Sequence, residues 1–80
     1  MKFNQLISKR AQRLLTDRKW TQYHLAQRSA LPLSTLSHVL NCKSDTLTVE
    51  TLLSICRGFD IRIADFFNDD IFAPENISDD

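Results

Sequence analysis

Glycine occurs once and proline twice in this 80-residue chain. An all-β domain needs a turn about every 8–12 residues, and turns of that kind draw on the two residue types that are scarce here. No apolar run approaches the roughly 18 residues that crossing a bilayer requires. The opening MKFNQLISKR lacks the apolar core and small-residue cleavage pattern of a secretory leader. The two cysteines, Cys42 and Cys56, form no CxxC and have no second pair, so a disulfide framework is excluded and free thiols are expected. No paired-carboxylate, Ser/His/Asp or glycine-rich phosphate motif has usable spacing, which argues against an enzyme. What is left is an all-α domain, expected in the cytosol with no membrane partner, no cofactor and no metal. A chain of this length encloses a single hydrophobic core.

Charge is balanced in total and unbalanced along the chain. Nine Lys/Arg stand against three Asp/Glu from Met1 to Gly58, a balance of +6, and one stands against seven from Phe59 to Asp80, a balance of −6. The asymmetry predicts a basic working face and an acidic tail. Arg10, Arg13, Arg18 and Arg28 are expected to supply the positive field.

Phe3, Leu6, Ile7, Ala11, Leu14 and Leu15 recur at the spacing of one helix face, which predicts a first helix over about residues 2–18. Thr21 is the expected N-cap of a second helix over about 22–28, with Trp20 packing on Leu25 as a hydrophobic staple. Pro32 has no N–H and disfavours helical geometry at Leu31, so the chain breaks and restarts there. A third helix is predicted over about 32–40, burying Leu36, Val39 and Leu40. Asn41 and Cys42 end it. Thr48 caps a fourth helix with the apolar face Val49, Leu52, Leu53, Ile55 and Cys56, and Gly58 is its expected stop. A short fifth helix over about 63–67 follows. Residues 1–68 then form the domain, and 69–80 a frayed acidic tail.

Two short helices joined by a tight turn, TQYHLAQRSALPLSTLSHVLN from Thr21 to Asn41, are the most specific stretch. Together with TVETLLSICRGFDIRIADFF, the chain resembles the Cro/repressor-type helix-turn-helix regulators, the XRE family, over about residues 6–67. The landmarks are Thr21-Gln22, Leu25-Ala26, Ser34-Thr35-Leu36-Ser37, Lys43, Thr51-Leu52-Leu53 and Phe66-Phe67. The resemblance implies a five-helix, lambda-repressor-like DNA-binding domain whose helix-turn-helix is made by the second and third helices. The third would lie in the major groove, and the second across the DNA backbone. Departures from the family pattern are informative. Ala30 and Cys42 stand where glycine is usual, and Pro32-Leu33 where a Ser cap and a polar base reader are usual. Leu15 and Leu40 stand where many relatives bury an Arg–Glu pair; such a replacement removes a desolvation cost, so both leucines are expected to be buried together.

On this reading Thr21 and Gln22 meet a phosphate at a helix N-terminus. Leu33 either presses on a thymine methyl or is an ordinary surface residue. Ser34, Ser37 and His38 face base edges or phosphates, and Thr35, Asn41 and Lys43 contact the backbone. The third helix has no Arg, Lys or Gln to grip a base bidentately, which predicts modest specificity per half-site. His24 is assigned no role, and the His38/Cys42 spacing lacks the further ligands that a metal site needs.

Phe66, Phe67, Ile71 and Phe72 concentrate apolar area near the C-terminus. Part of it should close the core, and the rest should form a dimer interface that sets two reading helices about 34 Å apart. The function expected is a sequence-specific double-stranded DNA-binding regulator, a repressor, whose affinity falls steeply with salt. The alternative is a protein-interaction module, such as an antitoxin or regulator partner, that acts through the C-terminal aromatic and acidic segment.

Overall fold

The computed structural model describes residues 2–41 and 47–77. Among them are five α-helices, α1 (Phe3–Arg18), α2 (Gln22–Ser29), α3 (Leu33–Leu40), α4 (Val49–Phe59) and α5 (Ile63–Phe66), followed by two 3-10 turns at Asp70–Phe72 and Pro74–Asn76. Each helix begins near its sequence signal. The Lys2 N–H donates to Gln5 Oε1 at 2.9 Å. Thr21 Oγ1 accepts from the His24 N–H at 3.1 Å, and Thr48 Oγ1 from the Thr51 N–H at 3.1 Å.

The helix ends depart from expectation. Lys19, Ala30 and Asp60 adopt φ of 57°, 55° and 59°, the left-handed conformation that glycine tolerates best. The next residue in each case donates back across the turn, Trp20 to Leu15, Leu31 to Ala26 and Ile61 to Cys56, each N–H···O being 3.0 Å long. Trp20, Leu31 and Ile61 all pack against the core. This is the Schellman arrangement, in which an apolar side chain just beyond the helix seals the last turn. Burial of that residue offsets the strain that a non-glycine incurs. Trp20 is therefore a closing residue of α1, stacked on Phe59 at 5.7 Å and edge-on to His24 at 4.6 Å.

Gly58 does not stop α4. It lies inside the helix with φ in the ordinary range, and Asp60 forms the cap. Its use is steric: a Cβ there would lie 2.1 Å from Ser29 Oγ and 3.0 Å from Leu25 Cδ1. The missing side chain lets α4 approach α2, and α2 packs most extensively on that helix. Val49, expected in the apolar face of α4, is 73% exposed, because the core-facing stripe starts only at Leu52.

Phe59 and Phe66 are the largest fully buried side chains, surrounded by Ile7, Ala11, Leu25, Leu36, Leu40 and Ile55. Leu15 and Leu40 are 7% and 1% exposed and share this core. The segment expected to fray is ordered by the protein itself through Asn76. Asp69 Oδ1 accepts from the Ile71 N–H at 3.0 Å, and its carboxylate lies 3.5 Å from Arg10 Nη1 and 3.3 Å from Arg13 Nη1. Phe72 then packs on Phe67 at 4.8 Å. Among the described residues no helix is long and apolar enough to cross a membrane.

Candidate nucleic-acid interface

Two turns of helix hold α3 to the core by Leu36 and Leu40, which are 0% and 1% exposed. The opposite side carries Ser34, His38 and Asn41, all exposed and spaced i, i+4, i+7, so that they form one outward ridge. Ser37 and Thr35 flank it and are half-buried. Leu33 is 45% exposed at the first turn. Asn41 Nδ2 donates to Ser37 Oγ at 3.0 Å, which ties the end of the ridge to its flank. No side chain caps the start of α3, where Pro32 takes the N-cap position. The first N–H groups of the helix therefore remain open to an acceptor. Lys43 and Cys42 lie outside the described residues.

The start of α2 offers a second set of donors. Thr21 is exposed, but its hydroxyl already serves as the cap, so what it presents to a ligand is mainly the helix N-terminus it orders. Gln22 beside it is half-buried. Tyr23, which the sequence did not single out, is 60% exposed, and its hydroxyl accepts from Gln27 Nε2 at 2.9 Å. An i, i+4 polar pair on the outer face of a short helix was the available signal.

The arginines expected to make a positive field are largely committed elsewhere. Arg28 Nε donates to the Gly58 carbonyl at 2.7 Å, and Arg18 Nη1 donates to that of Phe59. Both guanidinium groups lie 5.0 Å from the Trp20 ring. Arg10 donates to the Phe66 carbonyl at 2.7 Å and to that of Asp65 at 2.9 Å, while Arg13 pairs with Asp69. Three of these arginines thus satisfy the free carbonyls at helix C-termini, where positive charge is favoured. Lys9, Lys19 and Arg57 are exposed. Sequence reasoning missed these roles because a carbonyl acceptor from a distant helix leaves no trace in local pattern.

The C-terminal aromatics divide in two. Phe66 is fully buried, whereas Phe67, Ile71 and Phe72 are half-buried. Phe3, 47% exposed, joins them by stacking on Phe67 at 6.1 Å. Cys56 is buried, which pushes its thiol pKa up and leaves it a packing residue.

The sequence model for the Cro/C1-type HTH DNA-binding domain matches residues 12–70, well over half of the chain. No curated protein and no solved structure matches the chain.

Proposed function

Because the chain belongs to the Cro/C1-type HTH DNA-binding domain family, we propose that this DNA-binding protein is a sequence-specific transcriptional repressor that lays α3 in the major groove of promoter DNA. The observation that carries the reading is the outward ridge of Ser34, His38 and Asn41 on a short helix whose other side is locked into the core. Hydroxyl, imidazole and amide groups can each donate to or accept from base edges and phosphates, and a rigid helix holds them in one register. Gln22 and the N-terminus of α2 would take a phosphate oxygen, while Thr35 and Lys43 would contact the flanking backbone. Leu33 would touch a thymine methyl.

The partly exposed aromatic face of Phe3, Phe67 and Phe72 supports a homodimer that reads two half-sites about one turn of DNA apart. Sedimentation at tens of micromolar tests this, and a monomer there would rule it out.

Selection of bound duplexes from a random pool tests the main reading. A common motif should emerge, and His38→Ala should relax preference at one position of it while leaving the fold intact by circular dichroism. Recovery of no motif, or a motif unaltered by substitutions along the ridge, would refute the assignment.

A further inference from the structure

The carbonyl at the end of α3 is held by two side chains from α1. Ser8, only 3% exposed, donates its hydroxyl to the Leu40 oxygen. Gln12 Nε2 donates to the same oxygen at 2.7 Å and to Ser8 Oγ at 3.2 Å. The three groups close on one another: Leu40 accepts twice, Ser8 donates once and accepts once, and both amide protons of Gln12 are used.

We propose that Ser8 and Gln12 are positioning residues for DNA reading, which set the rotation of α3 by fixing its last carbonyl. The proposal rests on the DNA-reading role of α3 given above. Its physical ground is that apolar contacts have no direction. Leu36 and Leu40 fix the face that α3 turns to the core, but apolar contacts one turn apart set its fine rotation less sharply than a directional hydrogen bond does. A roll of about 20° moves a side-chain tip roughly 6 Å from the axis by about 2 Å. That exceeds the width, about 0.5 Å, of the window of 2.7–3.2 Å within which a base-edge hydrogen bond is made. Two directional bonds to one oxygen, at the Asn41 end of the ridge, remove that freedom. Leu15 and Leu40 belong to the apolar core beside this junction, and Ser8 and Gln12 supply the direction. The same bonds satisfy a carbonyl that carries the negative end of the helix dipole, which would otherwise face an approaching phosphate.

The test uses the full chain with Gln12→Met, which keeps length and removes both donors, and Gln12→Glu, which keeps shape and sets a carboxylate against the carbonyl. Gln12 is exposed, so neither variant opens a cavity in the core, and circular dichroism checks that each is folded. Affinity is measured for the selected duplex and for a scrambled one at the same salt, with the thermal midpoint alongside. Gln12→Met should bind the selected duplex roughly tenfold more weakly and the scrambled duplex unchanged, with Gln12→Glu weaker still. Ser8→Ala alone should do less, since Gln12 still donates. Equal loss on both duplexes, tracking the thermal midpoint, would mean that the bonds only stabilise the fold, and no loss would also overturn the proposal. Failure of the unaltered protein to prefer any duplex is a separate outcome: it would remove the DNA-reading role itself, and the proposal with it.

Discussion

Ser29 Oγ is buried and, among the described residues, has no hydrogen-bond partner. A polar atom in that position retains its desolvation penalty with nothing in return, so Ser29→Ala should stabilise the protein by about 1 kcal/mol in urea unfolding. The same hydroxyl sits where a Gly58 side chain would go. Gly58→Ala should therefore cost about 1–3 kcal/mol of overpacking, offset by about 1 kcal/mol of helix preference. The net loss should shrink when Ser29→Ala is already present, and a double-mutant cycle reads that coupling directly. Ala30 offers the converse case. At φ of 55° it holds a conformation that glycine adopts freely. Ala30→Gly should raise stability by about 0.5–1 kcal/mol, the left-handed strain relieved less the added chain entropy. At this scale the sequence was legible where a residue's role is local. Thr21 and Thr48 are identifiable as caps from the sequence, but Gly58, the one glycine, carries the local signature of a helix stop although its role is to admit a neighbouring helix.

Three of the helices are closed at their C-termini by side chains from elsewhere. Arg28 and Arg18 cap α4, Arg10 caps α5, and Ser8 and Gln12 cap α3. Where glycine is scarce, capping from a distance and half-buried closing residues such as Leu31 and Ile61 take its place. The C-terminal turns depend on one carboxylate in the same manner. The Ile71 N–H, followed by the charges of Arg13 and Arg10, holds the Asp69 carboxyl below the usual carboxylate range. A pKa lower in the folded than in the unfolded state contributes stability that is fully present above the unfolded value of about 3.9 and is lost as pH falls through the folded one. Stability should accordingly decline as pH drops below about 4, and Asp69→Asn should remove part of that decline. At neutral pH the same change should cost on the order of 1 kcal/mol or less. Thermal unfolding of both proteins across pH 2–7 would check the sign. A further consequence concerns truncation after Phe67, which removes both Asp69 and Phe72 and so disturbs α1 and the aromatic face together. Substitution at the half-exposed Phe67 is the cleaner way to separate partner binding from DNA binding.

For the molecule as a whole, the commitments of the arginines revise the expected salt dependence. The sequence suggested a steep one from an excess of six positive charges in the first 58 residues. In the fold, Arg10, Arg13, Arg18 and Arg28 are each bound to a carbonyl or a carboxylate, and α3 carries no Lys or Arg. If each protomer neutralises only about two or three phosphates, its affinity for a single half-site should fall about ten- to fortyfold between 50 and 200 mM salt, and that of a dimer on two half-sites roughly 10²–10³-fold, against up to about 10⁵ for a protein making ten such contacts. A fluorescence titration over that salt range decides it. A slope equivalent to six or more phosphates per protomer would mean that the bound arginines are released on binding.

The sequence by itself determined the helix count, the turn between the second and third helices, the caps at Thr21 and Thr48, the core positions of Leu36 and Leu40, and the family. All of these follow from periodicity, proline geometry and short-range hydrogen bonding, which act within a few residues. Only the tertiary structure decided that four arginines serve the fold, that Gly58 admits α2, that Val49 faces outward, that the last turns pack on α1, and that Ser8 and Gln12 reach the end of α3. The Gln12–Leu40 and Arg10–Phe66 bonds join residues 28 and 56 positions apart in the chain. A polar side chain in a local pattern carries no mark of an acceptor at such a distance, because that acceptor is a backbone carbonyl, which every residue possesses and only packing selects.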